Sequence, residues 1–161
     1  MEHLWAPWRN KYIQNYSKES LKGLFKTIAE SNNDEENFVL HRGDRVFVML
    51  NKFPYNLGHV LVVPYHAVPD MTDLEKEDFN DLWTTTREMI VLIKKVFKPD
   101  GMNVGVNIGA SAGAGVPDHV HVHVVPRWLA DLNFVTAVGG ARVHPGDLPS
   151  VYKMLREAIA S

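Results

Sequence analysis

Three histidines alternate with valines in the run His-Val-His-Val-His-Val-Val over residues 119–125. Because successive side chains of a β-strand point to opposite faces, this run predicts a strand with His119, His121 and His123 on one face. Neighbouring imidazoles on that face would be roughly 6.5–7 Å apart. The valines would point the other way, into the core. A row of imidazoles at this spacing is a candidate site for chemistry.

Three interpretations of this histidine face are open. The first is a polar strand face whose histidines make ordinary hydrogen bonds. The second is a metal site, since His-x-His is a good ligand pair for zinc or iron. A metal usually needs further ligands, and the candidates elsewhere are His41, His59, His66 and Asp118. The third is covalent catalysis, in which one imidazole attacks phosphorus while its neighbours orient it and donate hydrogen bonds to the phosphate oxygens.

A loop of small residues, Gly109–Gly115, leads into the histidine run. Its low side-chain bulk lets backbone amides approach an anion closely. Gly113 and Gly115 are candidates for such contacts, and the Ser111 hydroxyl is a candidate for a bond to phosphate. A flexible connection between strands is the plain alternative. The position of the loop beside the histidines favours phosphate chemistry over a metal site.

The elements that position these residues are predicted from hydrophobic periodicity and turn signals. Strands are predicted over residues 37–41, 46–50, 59–63, 102–108 and 119–125, with a hairpin turn in which Gly43 and Asp44 take positive φ. A capping box of Thr72 and Glu75 predicts the start of a long helix that ends near Phe97. A second helix is predicted over residues 147–160, and residues 1–36 are predicted to form a polar, irregular arm. Strands clustered as a meander predict an α+β fold with an antiparallel sheet.

Composition excludes several classes of function. The chain has 161 residues, which fits a single domain, and its formal net charge is −2, which disfavours wholesale binding of nucleic acid. It has no cysteine, so disulfides and thiolate metal sites are excluded. The N-terminus does not resemble a signal peptide, and the apolar runs are too short to span a membrane. We therefore expect a cytoplasmic protein with no membrane partner.

The motifs together resemble a known family. The alternating run matches the His-x-His-x-His-x-x pattern, with apolar x, of the histidine triad (HIT) superfamily. Leu50–Pro54 with Gly58–Pro64 resembles the upstream signature of that family, and the resemblance extends from about Asn37 to Arg127. The flanking segments Leu4–Arg9 and Val125–Phe134 look like those of the branch that contains diadenosine tetraphosphate phosphorylases and related hydrolases.

The resemblance implies roles for the matched residues. His121 corresponds to the nucleophile that takes up a nucleotidyl group, His123 and His119 to its supporting pair, and His59 to a histidine behind the triad. Asn51 corresponds to a residue whose side chain binds the ribose.

Two further positions are substrate-binding candidates. Asn107 corresponds to an amide residue near the α-phosphate, and Trp128 is a candidate for contact with substrate or with a dimer partner. Gly115 stands where many relatives carry glutamine and the phosphorylase branch often carries serine. The choice between water and phosphate as acceptor therefore stays open.

The resemblance also implies a fold and an activity. We expect a HIT-like domain over residues 1–161, made of an N-terminal arm (1–36), a core (37–127) and a C-terminal extension with a helix (128–161). Its five-stranded antiparallel sheet would carry two main helices, and the protein would be a homodimer. The expected activity is cleavage of dinucleoside polyphosphates through a nucleotidyl-histidine. A phosphoramidase-like hydrolase and a non-catalytic nucleotide-binding module are the alternatives.

No bound cofactor is expected, and Mg²⁺ on the substrate polyphosphate is left open. Some relatives hold a structural zinc ion through a Cys-x-x-Cys pair. Gly23–Lys26 occupies that place here, which leaves only His66 and His119 as matching ligands. Two histidines alone make a poor zinc site, so no structural metal is expected.

Overall fold

A five-stranded antiparallel sheet forms the centre of the molecule, with strand order β1-β2-β3-β5-β4. A computed structural model describes residues 21–129, 131 and 146–161. The strands are β1 (Val39–Arg42), β2 (Val46–Leu50), β3 (Val60–Pro64), β4 (Gly101–Val106) and β5 (Val122–Arg127), and the helices are α1 (Leu24–Glu30), α2 (Lys76–Phe97) and α3 (Leu148–Ala160). In this part of the chain, no helix is both long and apolar enough to cross a membrane.

The two faces of the sheet carry separate apolar cores. One face packs against α2 and α3 and contains Val122 and Val124, both fully buried. The other face packs against α1, through Phe25 and Ile28. The prediction that the valines of the histidine run point into a core is therefore confirmed. The histidines consequently face the α1 side of the sheet.

The long helix begins later than the sequence predicts. The proposed capping box at Thr72 is wrong, because Thr72 lies in a short 3₁₀ turn capped by Asp70, whose carboxylate accepts the Thr72 amide at 3.0 Å. Helix α2 starts at Lys76, and Glu75 precedes it without a side-chain cap. The predicted end near Phe97 is confirmed, since Lys98 takes a left-handed conformation (φ 47°) that terminates the helix.

The strand that carries the histidines also begins later than predicted. β5 starts at Val122, so His119 and His121 lie in the irregular segment before it. The reason is that the Val120 amide donates to the Val68 carbonyl at 2.7 Å rather than to the sheet. The predicted positive φ at the β1–β2 turn is wrong too. Within the described residues, positive φ occurs elsewhere, and the turn closes through a bond from the Gly43 amide to the Val46 carbonyl at 2.9 Å.

The largest difference concerns residues 21–36, which the sequence predicts to be irregular. This segment contains α1, and its apolar residues follow helical spacing, with Leu21 just before the helix and Leu24, Phe25 and Ile28 within it. That pattern was visible in the sequence but spans only two turns. The first 20 residues, with Trp5 and Trp8, lie outside the described part of the chain, as does most of the extension after Leu129.

Candidate active site

A cavity of about 410 Å³ lies between the sheet and α1. Its floor is formed by Met49 and Leu61, which are cross-strand neighbours on β2 and β3. The next residue in the same row is His123 on β5, which pairs with Leu61. The cavity therefore runs from an apolar floor directly to the histidines. Its lining residues are Leu21, Leu24, Phe25, Ile28, Glu36, Asn37, Met49, Asn51, Lys52, Phe53, Pro54, Tyr55, Leu61, Gly113, Gly115, Val116, His121 and His123.

His121 is buried, with only 4% of its surface exposed, yet it lines the cavity. Its Nδ1 lies 2.9 Å from the backbone carbonyl of His119. A carbonyl oxygen only accepts hydrogen bonds, so Nδ1 carries the proton and Nε2 keeps its lone pair. Burial lowers the pKa of this imidazole below the usual 6.5. His121 is therefore a neutral imidazole with an unprotonated nitrogen, which is the form required of a nucleophile.

His119 supports its neighbour without lining the cavity. Its Nε2 lies 2.7 Å from the Pro64 carbonyl and so carries the proton. Burial lowers its pKa as well, and the ring is 1% exposed. The edge of Phe25 contacts both rings, at centroid distances of 5.5 Å to His119 and 4.9 Å to His121. Phe25 on α1 thus holds the nucleophile in place and separates it from solvent.

A chain of two hydrogen bonds fixes the proton on His123. The Tyr55 amide donates to His59 Nδ1 at 3.0 Å, so His59 must carry its proton on Nε2. His59 Nε2 lies 3.0 Å from His123 Nδ1 and donates to it. His123 therefore carries its own proton on Nε2, where it can be donated to a substrate. His59 is 1% exposed and acts as a positioning residue behind His123.

The Tyr55 ring reinforces this arrangement. It stacks against His59 at 4.8 Å and His123 at 5.9 Å between centroids. Tyr55 lies in the connection between β2 and β3, where periodicity carries no signal, and sequence analysis did not identify it. The ring and the backbone amide of one residue thus fix both the orientation and the tautomer of the histidine pair.

The predicted ribose ligand, Asn51, lines the cavity beside these histidines. Its Oδ1 accepts the Phe53 amide at 2.9 Å, and its Nδ2 lies 3.4 Å from His59 Nδ1. The amide group is thereby oriented in the free protein. Asn107 does not line the cavity. It follows the last residue of β4, whose final pair with β5 is Val106 with Val122, so the structure does not bring Asn107 into the cavity with Asn51.

The small-residue loop reaches the cavity only in its second half. Gly113 and Gly115 line it, whereas Ser111 is exposed in a 3₁₀ turn and does not. Gly113 has φ +89°, a conformation that side chains rarely adopt, which explains a glycine at this turn. Trp128 follows the far end of β5, roughly 20 Å along the strand from His121. The structure therefore does not bring Trp128 to the site within one chain.

Arg42 holds the α1 wall of the cavity against the sheet, a role that sequence analysis did not identify. Its guanidinium caps the end of α1, donating to the carbonyls of Ala29 at 2.8 Å, Ile28 at 3.1 Å and Ser31 at 2.8 Å. It also contacts Asp34 Oδ1 through Nε at 2.9 Å and Nη2 at 2.8 Å. Cations stabilise helix C-termini, and the planar fork of arginine can meet several acceptors at once.

The residues at the matching positions do not fit a structural zinc ion. His119 uses Nε2 on the Pro64 carbonyl, and the ring of Phe25 packs against it. His66 lies beside Asp78, with its Nδ1 3.5 Å from the carboxylate. No group of three metal-ligating side chains is found among the described residues.

Comparisons with known proteins agree with this geometry. A family profile described as "HIT domain" matches residues 32–128. The chain is 40% identical, over 162 aligned positions, to the AP-4-A phosphorylase of Mycobacterium tuberculosis (strain ATCC 25618 / H37Rv), which covers 96% of this chain and 83% of that protein. It is 38% identical over 115 positions to the asymmetrical bis(5'-nucleosyl)-tetraphosphatase of Schizosaccharomyces pombe, covering 71% of this chain and 63% of that one.

A similar solved structure is described as a zinc-bound histidine triad family protein from Mycobacterium smegmatis. It has a TM-score of 0.68 and 26% identity, and it covers 85% of this chain and 92% of its own. The profile match spans more than half of the chain and includes the sheet, the cavity floor and all three histidines. The chain belongs to the histidine triad (HIT) family.

Proposed function

We propose that this chain cleaves dinucleoside polyphosphates, such as diadenosine tetraphosphate, through a nucleotidyl-His121 intermediate. The observation that carries the proposal is His121 itself, a buried neutral imidazole whose unprotonated Nε2 is the nitrogen left for the cavity. The names of the curated relatives, a phosphorylase and a tetraphosphatase of such substrates, support it.

The cavity accommodates one nucleotide half of such a substrate. The base occupies the apolar part between Phe25, Ile28 and Leu61, and Asn51 binds the ribose. The α-phosphate then lies beside His121 and His123, where the backbone at Gly113 and Gly115 supplies further donors. The rest of the polyphosphate and the second nucleoside extend out of the cavity.

Cleavage proceeds in two displacements at the α-phosphorus. His121 Nε2 attacks and forms a P–N bond while the P–O bond to the polyphosphate breaks, so the leaving oxygen takes the electron pair. The His119 carbonyl, which accepts the Nδ1–H of His121 at 2.9 Å, stabilises the positive charge that develops on the ring. Water or inorganic phosphate then attacks the phosphorus, the P–N bond breaks, and His121 returns to its neutral form.

His123 Nε2–H donates a hydrogen bond to the leaving oxygen as its charge develops. This scheme needs no protein-bound cofactor, and Mg²⁺ would act only on the charge of the substrate polyphosphate. A homodimer in the cytoplasm remains a prediction from the sequence resemblance. In such a dimer, Trp128 of one subunit is free to contact the other.

The experiment that tests this function is a product analysis with diadenosine tetraphosphate, with and without inorganic phosphate. We expect cleavage of the substrate, and anion-exchange chromatography separates the products. ADP with ATP, formed only when phosphate is present, identifies phosphate as the acceptor. AMP with ATP in its absence identifies water. Binding of the substrate without cleavage under either condition contradicts the proposal and favours a nucleotide-binding module.

The lowered pKa of His121 predicts the pH dependence of the reaction. Because the nucleophile must be neutral, kcat/KM falls only as the pH drops through the pKa of His121 in the folded protein. Burial places that pKa below 6.5, so activity should persist below the pH at which an exposed histidine would be half protonated. The internal phosphates of diadenosine tetraphosphate do not titrate near neutrality. An acidic limb of kcat/KM centred at or above pH 6.5 would contradict this account.

A further inference from the structure

The end of the cavity farthest from the histidines is lined by Glu36 and Asn37, which precede β1. The Phe38 carbonyl accepts the Leu50 amide at 2.9 Å, so this segment runs alongside β2. The strand order β1-β2-β3-β5 separates it from His123 by three inter-strand steps, or about 14 Å. A nucleoside monophosphate bound at His123 has a comparable reach from its phosphate to the outer edge of a purine ring.

The hydrogen bonds of Asn37 determine which group it offers to the cavity. Its Nδ2 donates to the Asn33 carbonyl at 3.0 Å and to Ser31 Oγ at 3.2 Å. The Ser31 hydroxyl uses its own proton on the Ile28 carbonyl at 2.9 Å, so it can only accept from Asn37. Both partners are therefore acceptors, and both N–H groups of the Asn37 amide are used. Asn37 offers the cavity a carbonyl oxygen alone.

Glu36 adds a second acceptor at the same end. Its carboxylate is exposed at the mouth of the cavity, and Oε2 lies 3.5 Å from Asn33 Nδ2, at the long limit of a hydrogen bond. The carboxylate consequently retains most of its capacity to accept. The polar groups that these two side chains offer at the apolar end of the cavity are oxygens without protons.

We propose that Asn37 and Glu36 select a purine whose outer edge carries an amino group, so that adenine is preferred over hypoxanthine. This inference rests on the proposed function, which places the base in this cavity. The 6-amino group of adenine has two N–H donors, one for each acceptor. The 6-oxo group of hypoxanthine has no proton to donate to either acceptor, and only the adjacent ring N1–H can still meet one of them, so at least one favourable contact is lost.

The test measures binding of AMP and IMP to the full chain by calorimetry, which requires no turnover. We expect AMP to bind about tenfold more tightly than IMP, since hydrogen bonds to charged acceptors have effects of this order. Glu36→Gln keeps the size of the side chain and adds an N–H donor that can face the 6-oxo group. We expect this variant to lower the preference for AMP at least about threefold.

Glu35→Gln is the matched control, because Glu35 is also exposed but does not line the cavity. It should keep the wild-type ratio of the two affinities. Equal binding of AMP and IMP by the wild type overturns the inference, and so does an unchanged ratio in Glu36→Gln. Cleavage of diadenosine tetraphosphate together with either result would leave the proposed function standing while the base-selection inference fails. Binding of neither nucleotide would contradict both.

Discussion

Replacing His121 with alanine should reduce turnover of diadenosine tetraphosphate by about 10³-fold or more. The variant removes the imidazole ring that we assign to the attack on phosphorus. The two groups that contact this ring, the side chain of Phe25 and the His119 carbonyl, are unchanged. Binding should change much less, because the apolar floor and Asn51 are untouched. The measurement is a comparison of kcat with the dissociation constant of AMP for both proteins.

The covalent intermediate gives this prediction a second readout. When the wild type reacts with diadenosine tetraphosphate and the mixture is quenched rapidly without acid, mass spectrometry should show a protein whose mass is increased by one adenylyl group. A P–N bond is labile to acid and stable to base, so the adduct should disappear on brief acidification. His41→Ala is the matched control, because His41 is exposed on β1 and does not line the cavity. Normal turnover by His121→Ala, or an adduct on that variant, would contradict the assignment of the nucleophile.

The histidine face was predictable because it depends on one local rule. Alternation over residues 119–125 assigns side chains to two faces whatever the partner strands are, and the burial of Val122 and Val124 confirms the assignment. The same holds for α2, whose apolar stripe includes Leu82, Met89 and Ile93, all buried. Helical and strand periods describe the chain itself, so a single sequence contains them.

The boundaries were less predictable because they depend on distant partners. Thr72 and Asp70 are both good caps by residue type, and only the position of the 3₁₀ turn shows that Asp70 acts. The start of β5 depends on Val68, since its carbonyl takes the Val120 amide that would otherwise extend the strand. No local pattern encodes a hydrogen bond between segments about fifty residues apart.

The protonation and orientation of the side chains within the site depend on contacts that only the three-dimensional structure reveals. The tautomer of His123 follows from the Tyr55 amide through His59, a chain of contacts that residue types alone do not reveal. The wall of the cavity likewise depends on Arg42, whose polar side chain at the end of β1 gives no sign in the sequence that it caps α1. Sequence therefore identified the reacting groups, whereas the structure identified what orients them.

Replacing His123 with alanine should reduce cleavage of diadenosine tetraphosphate by about 10²–10³-fold. The reason is that His123 Nε2–H, fixed by the His59 bond at 3.0 Å, offsets the charge on the leaving polyphosphate oxygen. The loss should therefore depend on the leaving group. With the p-nitrophenyl ester of AMP, whose nitrophenolate leaves without a proton, the same substitution should cost much less. The measurement is kcat/KM for both substrates with the wild type and the variant.

The comparison of substrates separates a donor from a structural role. If alanine merely disturbed the cavity, both substrates would lose activity by the same factor, because both place an adenosine and an α-phosphate in the same position. His121→Ala provides the matching contrast, since loss of the nucleophile should abolish turnover of both substrates alike. Equal losses in His123→Ala would contradict the role assigned to Nε2–H, whereas a selective loss with the polyphosphate leaving group would place the proton donor at His123.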